Sequence, residues 1–406
     1  MVTFIPYILI EIPSNMVLKQ TGPRWMLPGL CICWGTVTTF ECLIQNYAGF
    51  IACRFFIGLC EGGVFPGFVL YLSEFYRRDE IQRRIGLLYG AASIAGAFGG
   101  LLAAAIEKMD GISGLAGWRW IFLLEGLVTV VFGFFALWVM PNTPRDVITF
   151  TTEQKEYYVQ RIAADAKTKG SSKVSVKDVV ACLKEPHFLN VALMSFCVGV
   201  VVQGVAYFTP SVVLTFGYGK TVTQLLTAPL FMFAFIVTMI AGTVADRYHQ
   251  RGLVTVAFAS LGILGCILNF AGTSLGIRYP ALFFLVAGIY SCAPTVLAWI
   301  PNNNAAYGKR AVAIAIGFMV SNGGGIVGVW IYPTKYAPRY LFATKFNISL
   351  LAATVVLSIG QVFLLKHLNR QKAEKREELL RGLEHLSLDG QIQELGDHHP
   401  DFKYTL

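Results

Sequence analysis

The sequence predicts an all-α membrane protein built as two helical bundles, and three observations carry that prediction. Eleven apolar runs are long enough to cross a bilayer, and one long polar stretch at 141–186 separates five of them from six. Only 14% of the 406 residues are charged, where a soluble chain carries about 25%. The mean hydropathy is +0.58, and the 40 glycines and 30 phenylalanines suit closely packed spanning helices.

In chain order the first five runs lie at about 2–18, 25–45, 47–73, 84–107 and 118–140. The other six lie at about 187–214, 225–245, 252–273, 279–301, 310–332 and 345–367. Gly22-Pro23, Asp79-Glu80, Gly114 to Gly117, Gly217 to Gly219, Gly252, Tyr279-Pro280 and Ala337-Pro338 mark the breaks. The first run is the shortest and contains Glu11 and Pro13. The chain thus divides into an N-terminal bundle (1–140), a linker (141–186), a C-terminal bundle (187–367) and a charged tail (368–406). Within the linker, Thr151-x-x-Gln154 is a capping box that opens a helix to about 166. Ser175-x-x-Asp178 opens a shorter amphipathic segment that ends before Pro186 and lies at the membrane interface. Residues 369–386 favour helix, and the last twenty or so are expected to be disordered.

Charge fixes an orientation. One set of loops, with the linker and tail, holds 25 Lys and Arg, and the opposite set holds 7. The linker and tail are weaker indicators, yet the short loops alone give 10 against 7. The first set is therefore expected in the cytoplasm, with the C-terminus inside and residue 1 outside. The same distribution disperses the net charge of +9 among loops, which argues against nucleic acid as a partner. Eight of nine cysteines lie in apolar runs, without Cys-x-x-Cys or metal-ligand spacing, so they read as small buried side chains.

The internal pattern adds an expectation about helix number. Gly242-Thr-Val-Ala-Asp246-Arg247-Tyr-His-Gln-Arg251-Gly252 follows the second span of the later half. A degenerate counterpart, Lys19-Gln-Thr-Gly22-Pro-Arg24, follows the first span of the earlier half. The two loops correspond if the earlier half lacks one helix at its front. The expected arrangement is eleven helices (5 and 6) in place of twelve.

Arg54 and Glu61 stand inside an apolar run, seven residues and two turns apart on one helix face, about 10 Å along the axis. Each charge costs about 2.5–3.5 kcal/mol at mid-membrane on insertion scales, so such groups face a partner, a cavity or a permeating ion. A guanidinium there suits a substrate carboxylate; the alternative is an internal ion pair. Glu61 is either a group whose protonation depends on occupancy of Arg54, which is the linkage a symporter needs, or a structural glutamate. Glu125 lies near the depth of Arg54 and is a further candidate, against a role as a packing charge. Gln203, Tyr207, Asn302 and Asn322 supply uncharged donors on the later spans, against a role in helix–helix contact.

Taken together, two six-helix halves joined by a polar loop and the Gly-x3-Asp-Arg turn resemble the major facilitator superfamily. Several segments narrow the resemblance: Phe4 to Arg24, Arg54 to Pro66, Gly117-Trp118-Arg119-Trp120 through Glu125-Gly126, Trp299 with Asn302-Asn303, and Pro333 to Tyr340. In order and across nearly the whole chain, they resemble the fungal allantoate permease family of anion:cation symporters. That resemblance implies the major facilitator fold and uptake of organic acids such as allantoate, nicotinate, pantothenate or biotin, generally with protons. It also implies that Arg54 lies beside the central cavity and that Glu61 takes part in proton coupling. Asp246, Arg247 and Arg251 resemble the cytoplasmic gate motif that latches the outward-facing state.

Enzyme readings find no support. The six histidines lie at span ends, in loops or in the tail, and no Gly-x-Ser-x-Gly, Gly-Lys-Ser/Thr or His-Glu-x-x-His occurs. No cofactor and no metal is called for. The sequence reads as a multi-pass plasma-membrane carrier that imports a small organic anion with protons. The competing reading is a truncated, transport-inactive membrane protein or a nutrient sensor.

Overall fold

The computed structural model describes residues 2–77, 80–166, 176–305, 307–332, 340–383, 385–386, 391 and 394–406. The earlier half comprises α1 (Phe4–Thr21), α2 (Pro23–Phe40), α3 (Tyr47–Glu61), α4 (Val64–Phe75), α5 (Ile81–Ile106) and α6 (Gly117–Val139). Two linker helices follow, α7 (Thr152–Ala166) and α8 (Val176–Lys184). The later half comprises α9 (Pro186–Leu214), α10 (Lys220–Tyr248), α11 (Arg251–Ala271), α12 (Leu275–Asn302), α13 (Tyr307–Trp330) and α14 (Leu341–Glu374). Ten stretches among the described residues are long and apolar enough to cross a membrane, with α3 and α4 forming one of them. The segment Phe4–Leu18 of α1 is a shorter apolar stretch, as its sequence anticipates.

Local chemistry explains the helix boundaries. Asn46 caps α3 by accepting the Gly49 N–H at 2.8 Å. Pro23 and Pro186 stand at first-turn positions of α2 and α9, where a missing N–H costs nothing. Thr151 and Gln154 form the expected reciprocal cap, at 3.0 and 3.3 Å. The Ser175 end of the second linker motif and the Pro333–Pro338 part of the family match lie outside the described residues. The third expected span splits at Gly62-Gly63, where α1 crosses it. A Cβ on Gly58 would come within 2.1 Å of the Thr3 carbonyl oxygen, and one on Gly62 within 2.4 Å of the Tyr7 carbonyl oxygen. Only glycine permits that approach.

The halves meet along two lines. Helix α1 packs on α13, and α5 packs on α10 and α12. Within the later half α9 packs along both α13 and α14. Among the described residues no helix packs into the matching position between α5 and α6, and α5 leaves Leu87, Phe98 and Leu102 more than half exposed.

The disorder expected for the last twenty residues is not found in their described part. Residues 394–406 form a strap across the linker end of the later half. The Trp299 indole N–H donates to the Thr405 carbonyl at 2.9 Å, and Asn303 and Thr405 exchange bonds at 3.2 and 2.8 Å. Asn369 and Tyr404 do the same at 3.0 and 2.9 Å. The buried Lys372 ammonium donates to the carbonyls of Asp397 and Phe402 and sits 3.4 Å from the Tyr404 ring centre. Asp397 pairs with Lys309 at 2.6 Å, and Glu185 with Lys309 and His398, each at 3.2 Å. The His398 hydrogen bond, followed by Lys309 and His187, outweighs burial and holds the Glu185 carboxyl down at about 2. Composition suggested disorder because the tail's Phe402 and Tyr404 are few; their burial depends on acceptors and cations far away in sequence.

Replacing Lys372 by Met leaves two strap carbonyls without a donor, a loss of about 2–4 kcal/mol in docking. Tryptic cleavage after the exposed Lys403 should then accelerate by roughly a hundredfold, read by mass spectrometry, with helix content unchanged.

Candidate functional site

A polar cavity lies between the two halves. Its outer lobe, about 400 Å³, is lined by Tyr7, Arg54, Glu61, Gln203, Tyr207 and Asn322. A second lobe of about 610 Å³ shares all of these but Arg54, and continues among Phe65, Tyr89, Tyr290 and Phe318. Five of the seven candidate binding residues therefore meet at one place, brought there from α3, α9 and α13, with Tyr7 of α1 beside them.

The other two do not reach it. Glu125 is exposed on α6, away from both lobes. Asn302 is buried at the last turn of α12, next to Asn303, which grips the strap. Their distance from the cavity follows from helix position: α6 is peripheral to it, and residue 302 is at the linker end.

Arg54 has a partner that sequence reading passed over. Its Nε stands 2.9 Å from Glu41 Oε1, in a short 3-10 turn (Glu41–Leu43) after α2. The contact is ionic, since its angle makes no directed hydrogen bond. Phe50 and Phe122 lie 5.2 and 5.6 Å from the guanidinium carbon. Glu41 is almost wholly buried, while Arg54 keeps 32% of its side chain open. The signal for Glu41 was present, because an acid inside an apolar run calls for a partner. Glu61, by contrast, makes no hydrogen bond or ion pair among the described residues, although it lines both lobes.

Along the line where α1 meets α13, from the cavity towards the linker end, the halves are tied by polar contacts. Asn322 Nδ2 donates to Glu11 Oε1 at 2.7 Å, and Asn15 Nδ2 to the Ala311 carbonyl at 3.1 Å. On the other line, Asp246 Oδ2 accepts the Arg83 N–H at 2.8 Å, so its charge caps the N-terminus of α5 from the opposite half. Arg251 is buried and donates from Nε to Gln82 Oε1 at 2.8 Å and from Nη1 to the Ala298 carbonyl at 3.3 Å. Gln82 Nε2 in turn donates to Thr295 Oγ1 at 2.8 Å. Asp246 and Arg251 are 3.4 Å apart. Arg247, expected to share the gate, is exposed and outside these contacts; one position along α10 turns it about 100° away. Gln82 is the Arg251 partner that the motif did not reveal, since it lies more than 160 residues earlier.

With the linker end tied, the cavity is bounded by charges and rings that converge between two bundles. This is the architecture of a membrane transporter. The chain belongs to the Major Facilitator Superfamily, whose family model matches residues 1–329, and it is a secondary transporter of that class. The family and its relatives are transporters, not enzymes. An MFS-type transporter of Hormonema carpetanum is 32% identical over 362 residues, which is 88% of this chain and 73% of the relative. The high-affinity nicotinic acid transporter of Saccharomyces cerevisiae is 27% identical, over 99% of this chain and 74% of its own. In fold the chain is similar to the proton:xylose symporter XylE, with a TM-score of 0.65 at 16% identity over 90% of this chain and 84% of that one. It is also similar to FucP in its outward conformation, with a TM-score of 0.65 at 15% identity over 89% and 88%.

Losing the Asp246 cap costs about 1–2 kcal/mol, a 5- to 30-fold shift between conformers. Asp246→Ala should therefore raise maleimide labelling of a cysteine placed at Ala311, which is buried where α1 meets α13. Arg247→Ala should change it by less than about twofold, as expected of an exposed charge.

Proposed function

We propose that this protein imports a small organic anion with protons across the plasma membrane, as a member of the allantoate permease family, with its linker and C-terminus in the cytoplasm. The observation that carries the reading is Arg54: a cation held from behind by Glu41 yet one-third open to the cavity that Glu61 also lines. Its fork offers charge-assisted bonds to a carboxylate, and Gln203, Tyr207 and Asn322 offer donors around it. Glu61, lacking a bonded partner, is the proton-accepting group of that cavity. Asp246 and Arg251 form the inner gate with Gln82. The similarity to a nicotinic acid transporter and to a proton:xylose symporter points the same way.

The open groove between α5 and α6 supports a second element of the reading: it seats one further apolar helix, which brings the earlier half to six. This groove also favours the competing reading, in which the eleven-helix chain senses nutrients or is inert. Uptake by the chain alone, compared with uptake when the first helix of a relative is co-expressed, separates the two. Restored uptake supports the seat, and equal uptake in both argues against it.

Uptake of radiolabelled nicotinate and related organic acids in yeast tests the main reading. Arg54→Ala removes a charge-assisted contact of about 1.5–3 kcal/mol, so KM should rise about 10- to 100-fold. Arg54→Lys should recover only part of this, because an ammonium lacks the planar fork. Uptake that is indifferent to pH, or undiminished in Arg54→Ala, overturns the mechanism.

A further inference from the structure

Glu11 lies outside the anion site described above, and its surroundings are unusual. The side chain is fully buried where α1 crosses α13. Its Oε1 accepts from Asn322 at 2.7 Å, whereas Oε2 has no hydrogen-bond partner among the described residues. Ser14 Oγ and Asn15 Oδ1 are also buried and unpartnered, three and four positions on along the same helix face. The ionisable groups facing the carboxyl are Tyr7 on α1 and Tyr89 on α5, with Glu61 of α3 beyond Tyr7. From α13 the polar neighbour is Asn322; α2 and α4 bring no charge to it among the described residues. No cation faces it.

An ionised carboxylate buried without a cation costs several kcal/mol, so the state with the linker end closed calls for a neutral side chain. A proton supplies that neutrality and leaves Oε1 free to accept from Asn322. Asn322 also lines the cavity beside Tyr207, so a solute bound there and Glu11 share one amide. Pro13, two positions on, removes one backbone hydrogen bond from α1 and gives that helix a point of flexure beside Glu11.

We propose that Glu11 is a proton-coupling residue that reports closure of the linker end. It is protonated while α1 and α13 are in contact. Parting of these helices breaks the Asn322 bond, brings the carboxyl to water on the linker side and passes its proton to that water, leaving a solvated carboxylate. Reclosure requires the proton back. This inference rests on the proton-coupled reading above and adds to it a site remote from Arg54.

Maleimide labelling of a cysteine at Ala311, read at that residue by mass spectrometry on the purified full chain and divided at each pH by the labelling of the same chain unfolded in denaturant, which removes the thiol's own pH dependence, tests it without any substrate. In the wild-type background labelling should rise about tenfold from about pH 5 to about pH 7.5, as deprotonation favours the open state. Glu11→Gln keeps an acceptor for Asn322 but cannot lose a proton, so labelling should stay low and vary less than about twofold over that range. Glu11→Asp should restore the pH response, and Asn322→Ala should raise labelling at every pH. Glu11→Gln titrating like wild type, while Glu61→Gln is flat, overturns this proposal and leaves the proton-coupled reading standing. A wild-type protein indifferent to pH in both labelling and uptake overturns both. A response to sodium in place of pH overturns the choice of proton.

Discussion

The structure depends on a shortage of water at the interface between its halves. With little solvent to satisfy them, polar groups placed there gain most from partners reached across the two bundles. Arg251 shows how far this goes: a buried guanidinium reaches Gln82 of the other half, the Ala298 carbonyl and Asp246, whose second oxygen caps α5. These contacts are geometrically demanding, so they exist in one relative placement of the bundles and disappear in another. Apolar contact along α5, α10 and α12 would by itself tolerate sliding.

The cavity follows from the same constraint acting in reverse. Where the bundles part, Arg54, Glu61 and Gln203 face space that a polar solute can occupy. Glu41 holds Arg54 from behind, and the two phenylalanine rings flank the guanidinium. Such a pair is a poor source of stability, since desolvation offsets most of the attraction. Its value is placement: the arginine is fixed at the wall with one side left open. The strap extends the principle to the linker end, where Trp299, Asn303 and Lys372 each bind a strap carbonyl that would otherwise lack a donor.

Much of this was legible in the chain. Span positions follow from hydropathy, and breaks from glycine and proline, because a bilayer imposes one length scale on every helix. The cavity residues on α3 and α9 were legible too, since polar side chains in apolar runs have few reasons to be there. Glu125 and Asn302 looked the same in sequence and proved peripheral. A helical wheel gives a residue's face but not the neighbour that the face meets. Arg247 illustrates the same limit one residue from Asp246, which does reach the other half.

The sequence by itself determined the class of molecule, its helices, its two halves and the residues too costly to bury without a purpose. Those are properties of a segment and its solvent. Only the tertiary structure decided that Arg54 belongs with Glu41, that Gln82 meets Arg251, that Glu11 meets Asn322 and that the tail docks. Each of these pairs joins residues from different helices. Their meeting depends on crossing angles and on close approaches such as Gly62 against Tyr7, which a linear pattern does not encode.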